Sequence, residues 1–88
     1  MKYLMLRLTH ATLTRDVPII FPDMLVHCDI AAVARHIAGL EGAVPIATGD
    51  IHLTAVSTHG ESETLGLEAR EEDAHTITMY DYFHGYVA

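Results

Sequence analysis

The strongest constraint on the fold is a set of apolar residues at helical spacing: Val26, Ile30, Val33, Ile37 and Leu40. At about 100° per residue these five fall within roughly 40° of one line, which predicts an amphipathic helix over residues 23–39 with that stripe packed inward. Phe21-Pro22-Asp23 supplies its start, Pro22 fixing the approach and Asp23 serving as N-cap or as a first-turn carboxylate facing the helix dipole. Gly39 or Gly42 supplies the stop.

Such a helix needs an apolar layer to pack on, and the flanking sequence reads as strands. Residues 2–8 alternate, with Leu4, Leu6 and Leu8 on one side and Tyr3, Met5 and Arg7 on the other, the period of a strand with one buried face. Val17 to Phe21 is a short β-like run whose Pro18 places it at a sheet edge or in an extended connector. Between 43 and 69, β-branched runs alternate with turn signals: Val44 to Ile46, the turn Thr48-Gly49-Asp50, Ile51 to Thr58, the turn His59-Gly60-Glu61, and Ser62 to Leu67. Ile51, Leu53 and Ala55 would share the core face, opposite His52, Thr54 and Val56, and Glu63, Leu65 and Leu67 would share one face of the next strand. Glu71-Glu72-Asp73 is an acidic first helical turn, although His75 to Tyr80 has strand propensity; the reading is a second helix over 71–84 with Ala74, Ile77, Tyr80 and His84 inward. The expected fold is α+β, a mostly antiparallel sheet of about three to five short strands with these two helices, in a single domain spanning 1–88.

Composition narrows the function classes. At 88 residues a chain buries only about 60–65% of the surface its unfolded form exposes, and with half its residues apolar some of that surface is left over for a partner. A homodimer is therefore expected. The formal charge of −7 gives the counterion-release contribution to nucleic-acid binding the wrong sign, so direct binding to DNA or RNA is not expected. Cys28 is the one cysteine and Arg7 interrupts the apolar run near the start, which together suggest a reducing, cytoplasmic setting without a secretory signal. No apolar stretch approaches the ~18 residues that span a bilayer, so no membrane partner is expected.

Seven histidines raise the question of a metal. Two ligands on one helical face would need a spacing of three or four, whereas His27 and His36 are nine apart and diverge by about 180°. His75 and His84 have the same spacing. The best cluster draws His52 from one strand with His59, Glu61 or Glu63 from the adjoining hairpin, set against the plainer reading of solvated residues around a hairpin tip. No cofactor is expected. Cys28 stands beside His27 and Asp29, but helix neighbours diverge by about 100°, so the adjacency does not make a nucleophile and base.

Two surfaces remain as binding candidates. Opposite the predicted apolar stripe, Cys28, Ala31, Ala32 and Ala38 with Arg35 make a small, smooth helix face that lets another element approach closely, although alanine is also simply the best helix former. Positions 61–73 hold Glu61, Glu63, Glu68, Glu71, Glu72 and Asp73 against Arg70 alone. That acidic surface can be read as a phosphate mimic for a nucleic-acid-binding protein, or as a solvated turn with helix-dipole compensation.

Phe21-Pro22-Asp23 followed by His27, together with His59-Gly-Glu-Ser-Glu-Thr-Leu-Gly-Leu-Glu-Ala-Arg70, resembles short uncharacterised proteins of phages and prophages, over about a third of the chain. The resemblance implies a small accessory protein of viral origin, working in the host cytoplasm, and assigns no residue a role. The function expected is thus a non-enzymatic interaction protein acting through the small helix face or the acidic segment. The alternatives are a metal- or ligand-binding protein or enzyme built on the His52/His59 hairpin, and an acidic nucleic-acid mimic.

Overall fold

Tyr3, Leu4, Met5 and Leu6 are all inaccessible to solvent, so the first strand, β1 (Lys2–His10), is covered on both faces rather than on one. The computed structural model describes residues 1–37, 39–52, 57–62 and 65–80. β1 pairs antiparallel with β2 (Leu13–Phe21) on one side and with β3 (Val44–His52) on the other. Being central is what buries both faces. β4 (Ser57–His59) extends the sheet beyond β3, giving the order β2-β1-β3-β4. A small second ladder joins β5 (Glu61–Ser62) to β6 (Leu67–Glu68). With α1 (His27–Ala34) and α2 (Glu71–Tyr80), the described residues form an α+β fold dominated by antiparallel pairing.

The alternation within β1 divides the core into two layers. Tyr3 and Met5 point with Ala47 and Ile51 toward Ile77 of α2. Leu4 and Leu6 point the other way, with Phe21, toward Ala34, Ile30 and Ala31 of α1, and Leu40, Ala43 and Leu65 close the margin. A bulge between Met5 and Leu6 shifts the β1–β3 register, an irregularity that tightens local twist.

β2 is an edge strand, and its proline sits where an edge tolerates one. The β1–β2 turn consists of Ala11 and Thr12, closing on the pair His10 and Leu13. Counting alternately from that hydrogen-bonded pair, Met5 and Pro18 form a non-hydrogen-bonded pair, so the Pro18 nitrogen faces the open edge. The missing N–H costs β1 nothing and removes a docking point for a foreign strand.

Several elements differ from the sequence reading. Ser62 to Leu67, expected as one strand, belongs to two: Ser62 ends β5 and Leu67 begins β6, with Leu65 and Gly66 in a turn. Thr48-Gly49-Asp50 is not a turn but the middle of β3. Gly49 is there because a Cβ would meet the His59 carbonyl oxygen and, at 2.8 Å, the Cβ of Ala69: backbone crowding, not chain reversal, demands glycine. The first helix begins at His27 with Val26 as a cap residue that makes no side-chain hydrogen bond, and Asp23 lies in the preceding turn, where Leu25 N–H reaches the Pro22 carbonyl. That helix also ends at Ala34, ahead of Gly39 and Gly42, and it is rotated. Val26 and Val33 of the predicted inward stripe are 45% and 57% exposed, and Ile37 is 41% exposed, while the buried side is His27, Ala34 and the partly buried Ile30 and Ala31. At about 100° per residue, the helix is turned by roughly 90° from its predicted orientation.

α2 runs over 71–80 as a helix, which settles the helix-or-strand ambiguity of 75–80. Ile77 is fully buried and Ala74 half-buried, as the predicted inward face requires. The expectations for Ala38, Leu53, Thr54, Ala55, Val56, Glu63 and His84 lie outside the described residues, as does the side chain of Tyr80.

Candidate functional site

The orientation of α1 follows from its first residue. His27 is 8% exposed, and its Nε2 lies 3.1 Å from the Gly49 carbonyl oxygen. A carbonyl only accepts, so Nε2 carries the proton. The ring stands edge-on to Phe21 with centroids 5.3 Å apart. Both contacts pull the His27 side of the helix onto the sheet, and Ala31 and Ala34 on that side let the helix lie close to Leu4, Leu6 and Phe21. The larger branched residues Val26 and Val33 are left outside.

Of the four residues expected at an interface, the structure sets Ala31 against the protein's own core, half-buries Cys28, and leaves Ala32 and Arg35 exposed. The outer face of α1 is therefore more apolar than the sequence implied. Besides Val26, Val33 and Ile37, Met24 in the turn before the helix is 85% exposed and Leu25 42%. The turn holding Met24 and Leu25 is tied to β1 by the Lys2 ammonium, which donates to the Leu25 carbonyl at 2.8 Å.

The histidine pair is brought together, though not as a ligand set. His52 and His59 lie on paired strands, with His52 opposite Ser57 and His59 opposite Asp50. Their rings stack, centroids 5.0 Å apart and planes 17° from parallel. Stacked imidazoles direct their nitrogens side by side instead of at one point. Glu61 is exposed on β5, directly across from Glu68. Among the described residues, no group of three or more His, Cys, Asp and Glu side chains is placed to hold a metal ion.

The acidic surface loses a member. Glu61, Glu68, Glu71 and Glu72 are exposed, but Asp73 is completely buried, a correction to its reading as a surface carboxylate. It accepts from the Tyr3 hydroxyl at 2.5 Å, from the Arg70 backbone N–H at 3.1 Å, and from Arg70 Nε and Nη2 at 3.0 and 2.6 Å. The backbone bond makes Asp73 the third-position half of a capping box whose cap residue is Arg70. Arg70 also approaches Asp16 at 3.4 Å, and Arg7 grips Asp16 with two bonds of 2.9 and 3.2 Å. The network links β1, β2 and α2 with two cations against two carboxylates.

Its electrostatics follow from that wiring. Burial, reinforced by the hydrogen bond to Asp73, pushes the Tyr3 phenol far above its ordinary value. The hydrogen bond from Arg7, opposed by partial burial and aided by Arg70, holds Asp16 below the usual carboxylate range. Each of these groups is occupied by another member, and Tyr3 and Asp73 do not reach solvent. The network is a joint between α2 and the sheet.

Surface hollows of ligand size formed by the described residues include the following two. One of about 390 Å³ is lined by Ile46, Glu61, Ser62, Leu67, Glu68 and Arg70. Its arginine is held by Asp73 and Asp16, and Glu61 and Glu68 face each other as like charges. The other, of about 400 Å³, lies at the β1–β2 tip among Leu8, His10, Leu13, Thr14 and Arg15.

No helix among the described residues is long and apolar enough to cross a membrane. No protein-family model, curated protein or solved structure matches the chain.

Sequence reasoning missed the buried network because its ends, Tyr3 and Asp73, are 70 residues apart. The signals were present. Tyr3-Leu4-Met5-Leu6 is an unbroken apolar run of the kind found in strands buried on both sides, and a buried tyrosine hydroxyl needs a partner. Asp73, three residues after Arg70 at a helix start, was the available acceptor.

Proposed function

We propose that this protein is a non-enzymatic accessory protein that acts by binding another protein through the outer face of α1. The observation that carries the reading is the exposure of Val33 at 57% on a helix whose opposite side is seated on the sheet, with exposed Met24, Leu25 and Val26 leading into the helix and exposed Ile37 following it. Exposed apolar side chains on a helix and the segments flanking it mark an interaction surface more often than singly scattered ones do. Tyr3 and Asp16, whose acidities are shifted by their neighbours, are engaged in a structural joint, which favours binding over catalysis as the chain's work. The single cysteine and the resemblance to phage and prophage proteins support a cytoplasmic setting, that of the host if the chain is phage-encoded.

The test is affinity capture from the native host with the wild type and with Val33→Glu, folding of both being verified by far-UV circular dichroism. Proteins retained by the wild type should be lost from the variant. Identical capture by both, with no difference in self-association either, would refute the assignment of this face.

A further inference from the structure

We infer that the occupant of the α1 outer face is a second copy of this chain, docked helix against helix in antiparallel orientation about a twofold axis beside Val33. The inference rests on α1 being the binding face and names what covers it.

The argument is one of self-complementarity. A twofold interface puts the same patch on both partners, so each residue must suit the residue that symmetry brings opposite it. α1 carries Asp29 in its first turn and no acid at its other end, where Arg35 and His36 follow. The chain continues past Ala34 in tight turns, with His36 N–H bonding the Val33 carbonyl and Ile37 N–H the Ala34 carbonyl. His36 therefore stays on the exposed side, and Asp29, Val33 and His36 fall within roughly 60° of one line. All three are exposed.

Antiparallel docking about an axis beside Val33 brings Asp29 of each copy opposite His36 of the other, because the two positions lie almost equally far from Val33 along the helix. The carboxylate accepts from an imidazole N–H in either charge state of the histidine. Two such contacts form by symmetry, one on each side of a Val33 centre, with Val26 extending the apolar strip. Parallel docking would instead set Asp29 against Asp29, a like-charge contact, and would align the two helix dipoles unfavourably. Ala32, exposed and small, allows the two backbones to approach.

Sedimentation velocity at micromolar to submillimolar concentration tests the inference. The wild type should sediment at twice the chain mass. Val33→Glu should shift it to the monomer, with the circular-dichroism spectrum unchanged because Val33 is exposed. Asp29→Lys and His36→Glu should each weaken the dimer at least fivefold, and the double variant Asp29→Lys/His36→Glu should recover most of that loss. Recovery is the decisive readout, since an unspecific apolar contact would not restore binding on swapping the charges. A monomeric wild type across the concentration range, or a dimer indifferent to both charge reversals, would overturn the second-copy inference. A monomer that nevertheless loses captured host proteins on Val33→Glu would leave the binding-face reading intact, so the two ideas fail separately.

Discussion

Replacing Tyr3 by Phe removes from the joint between α2 and the sheet the donation to Asp73 and the longer bond, 3.3 Å, that the hydroxyl accepts from the Arg70 backbone N–H, which keeps its bond to Asp73. The hydroxyl is buried and donates to Asp73 at 2.5 Å, while Asp73 keeps its three bonds from Arg70 when the hydroxyl is removed. A hydrogen bond to a charged group contributes about 1.5–3 kcal/mol, and Phe leaves no buried donor unsatisfied on its own side, so a loss of about 2 kcal/mol is expected. For a domain of this length each kcal/mol moves the melting midpoint by about 4–8 °C, giving a fall of about 8–16 °C. Asp73→Ala must cost more, about 3–5 kcal/mol, because it takes the acceptor from the buried Tyr3 hydroxyl and leaves the Arg70 guanidinium only its longer hydrogen bond to Asp16 and the Arg70 N–H only its longer bond to Tyr3. Urea unfolding followed by circular dichroism at 222 nm measures both. There is also a pH signature. Because the folded Tyr3 phenol titrates far above its unfolded value, its contribution is fully present below about pH 10 and is lost as pH rises toward the folded value. Tyr3→Phe should remove that alkaline loss. A Tyr3→Phe cost below about 0.5 kcal/mol, or one equal to that of Asp73→Ala, would refute the account of a buried carboxylate sustained by several donors.

Three further outcomes follow from the geometry. Ala11, at the first position of the two-residue β1–β2 turn, has φ of 57°, a conformation that costs an L side chain about 1–2 kcal/mol, so Ala11→Gly should raise stability by about 0.5–1 kcal/mol after the greater freedom of unfolded glycine is subtracted; an unchanged urea midpoint would contradict this. Gly49→Ala places a Cβ against the His59 carbonyl and Ala69, which should destabilise the protein by about 1–3 kcal/mol, as overpacking does; an unchanged urea midpoint would contradict it. Asp16, held below the usual carboxylate range by Arg7, stabilises the fold above its unfolded pKa of about 3.9 and ceases to as pH falls through its lower folded value; Asp16→Asn should therefore be less stable than wild type at pH 6 and nearly equal to it at pH 2, when urea midpoints are compared.

How much of this was legible in the sequence depended on whether the signal was local. Pro18 placed β2 at an edge, and the pairing parity explains why that position tolerates it. Glu71-Glu72-Asp73 marked the start of α2 correctly, but the same local logic read Asp73 as exposed when its third-position side chain turns back to cap Arg70 and continues inward to Tyr3. Thr48-Gly49-Asp50 carries turn composition, and only the approach of His59 and Ala69 shows why the glycine belongs to a strand. In each miss a distant segment supplied the deciding contact.

The rotation of α1 is the case with consequences for function. Periodicity specifies that a helix has an apolar side; it does not say which of two apolar sides meets the sheet when both exist. Here the competition lay between Val26, Val33 and Ile37, with more surface to bury, and His27, Ile30, Ala31 and Ala34, with less. The second set holds the sheet because it combines close approach with a specific polar contact, His27 to Gly49, and an edge-on ring contact to Phe21. A monomer pays for that choice in apolar surface left exposed at Val33 and Val26. A second copy laid antiparallel on the same helix would bury that surface while pairing Asp29 with His36, so the orientation that looks unfavourable within one chain becomes the favourable one in the pair. On this account Val33→Ala should leave folding stability of the isolated chain nearly unchanged while weakening the dimer at least threefold. Equal losses in both would show that Val33 serves the fold and not the interface.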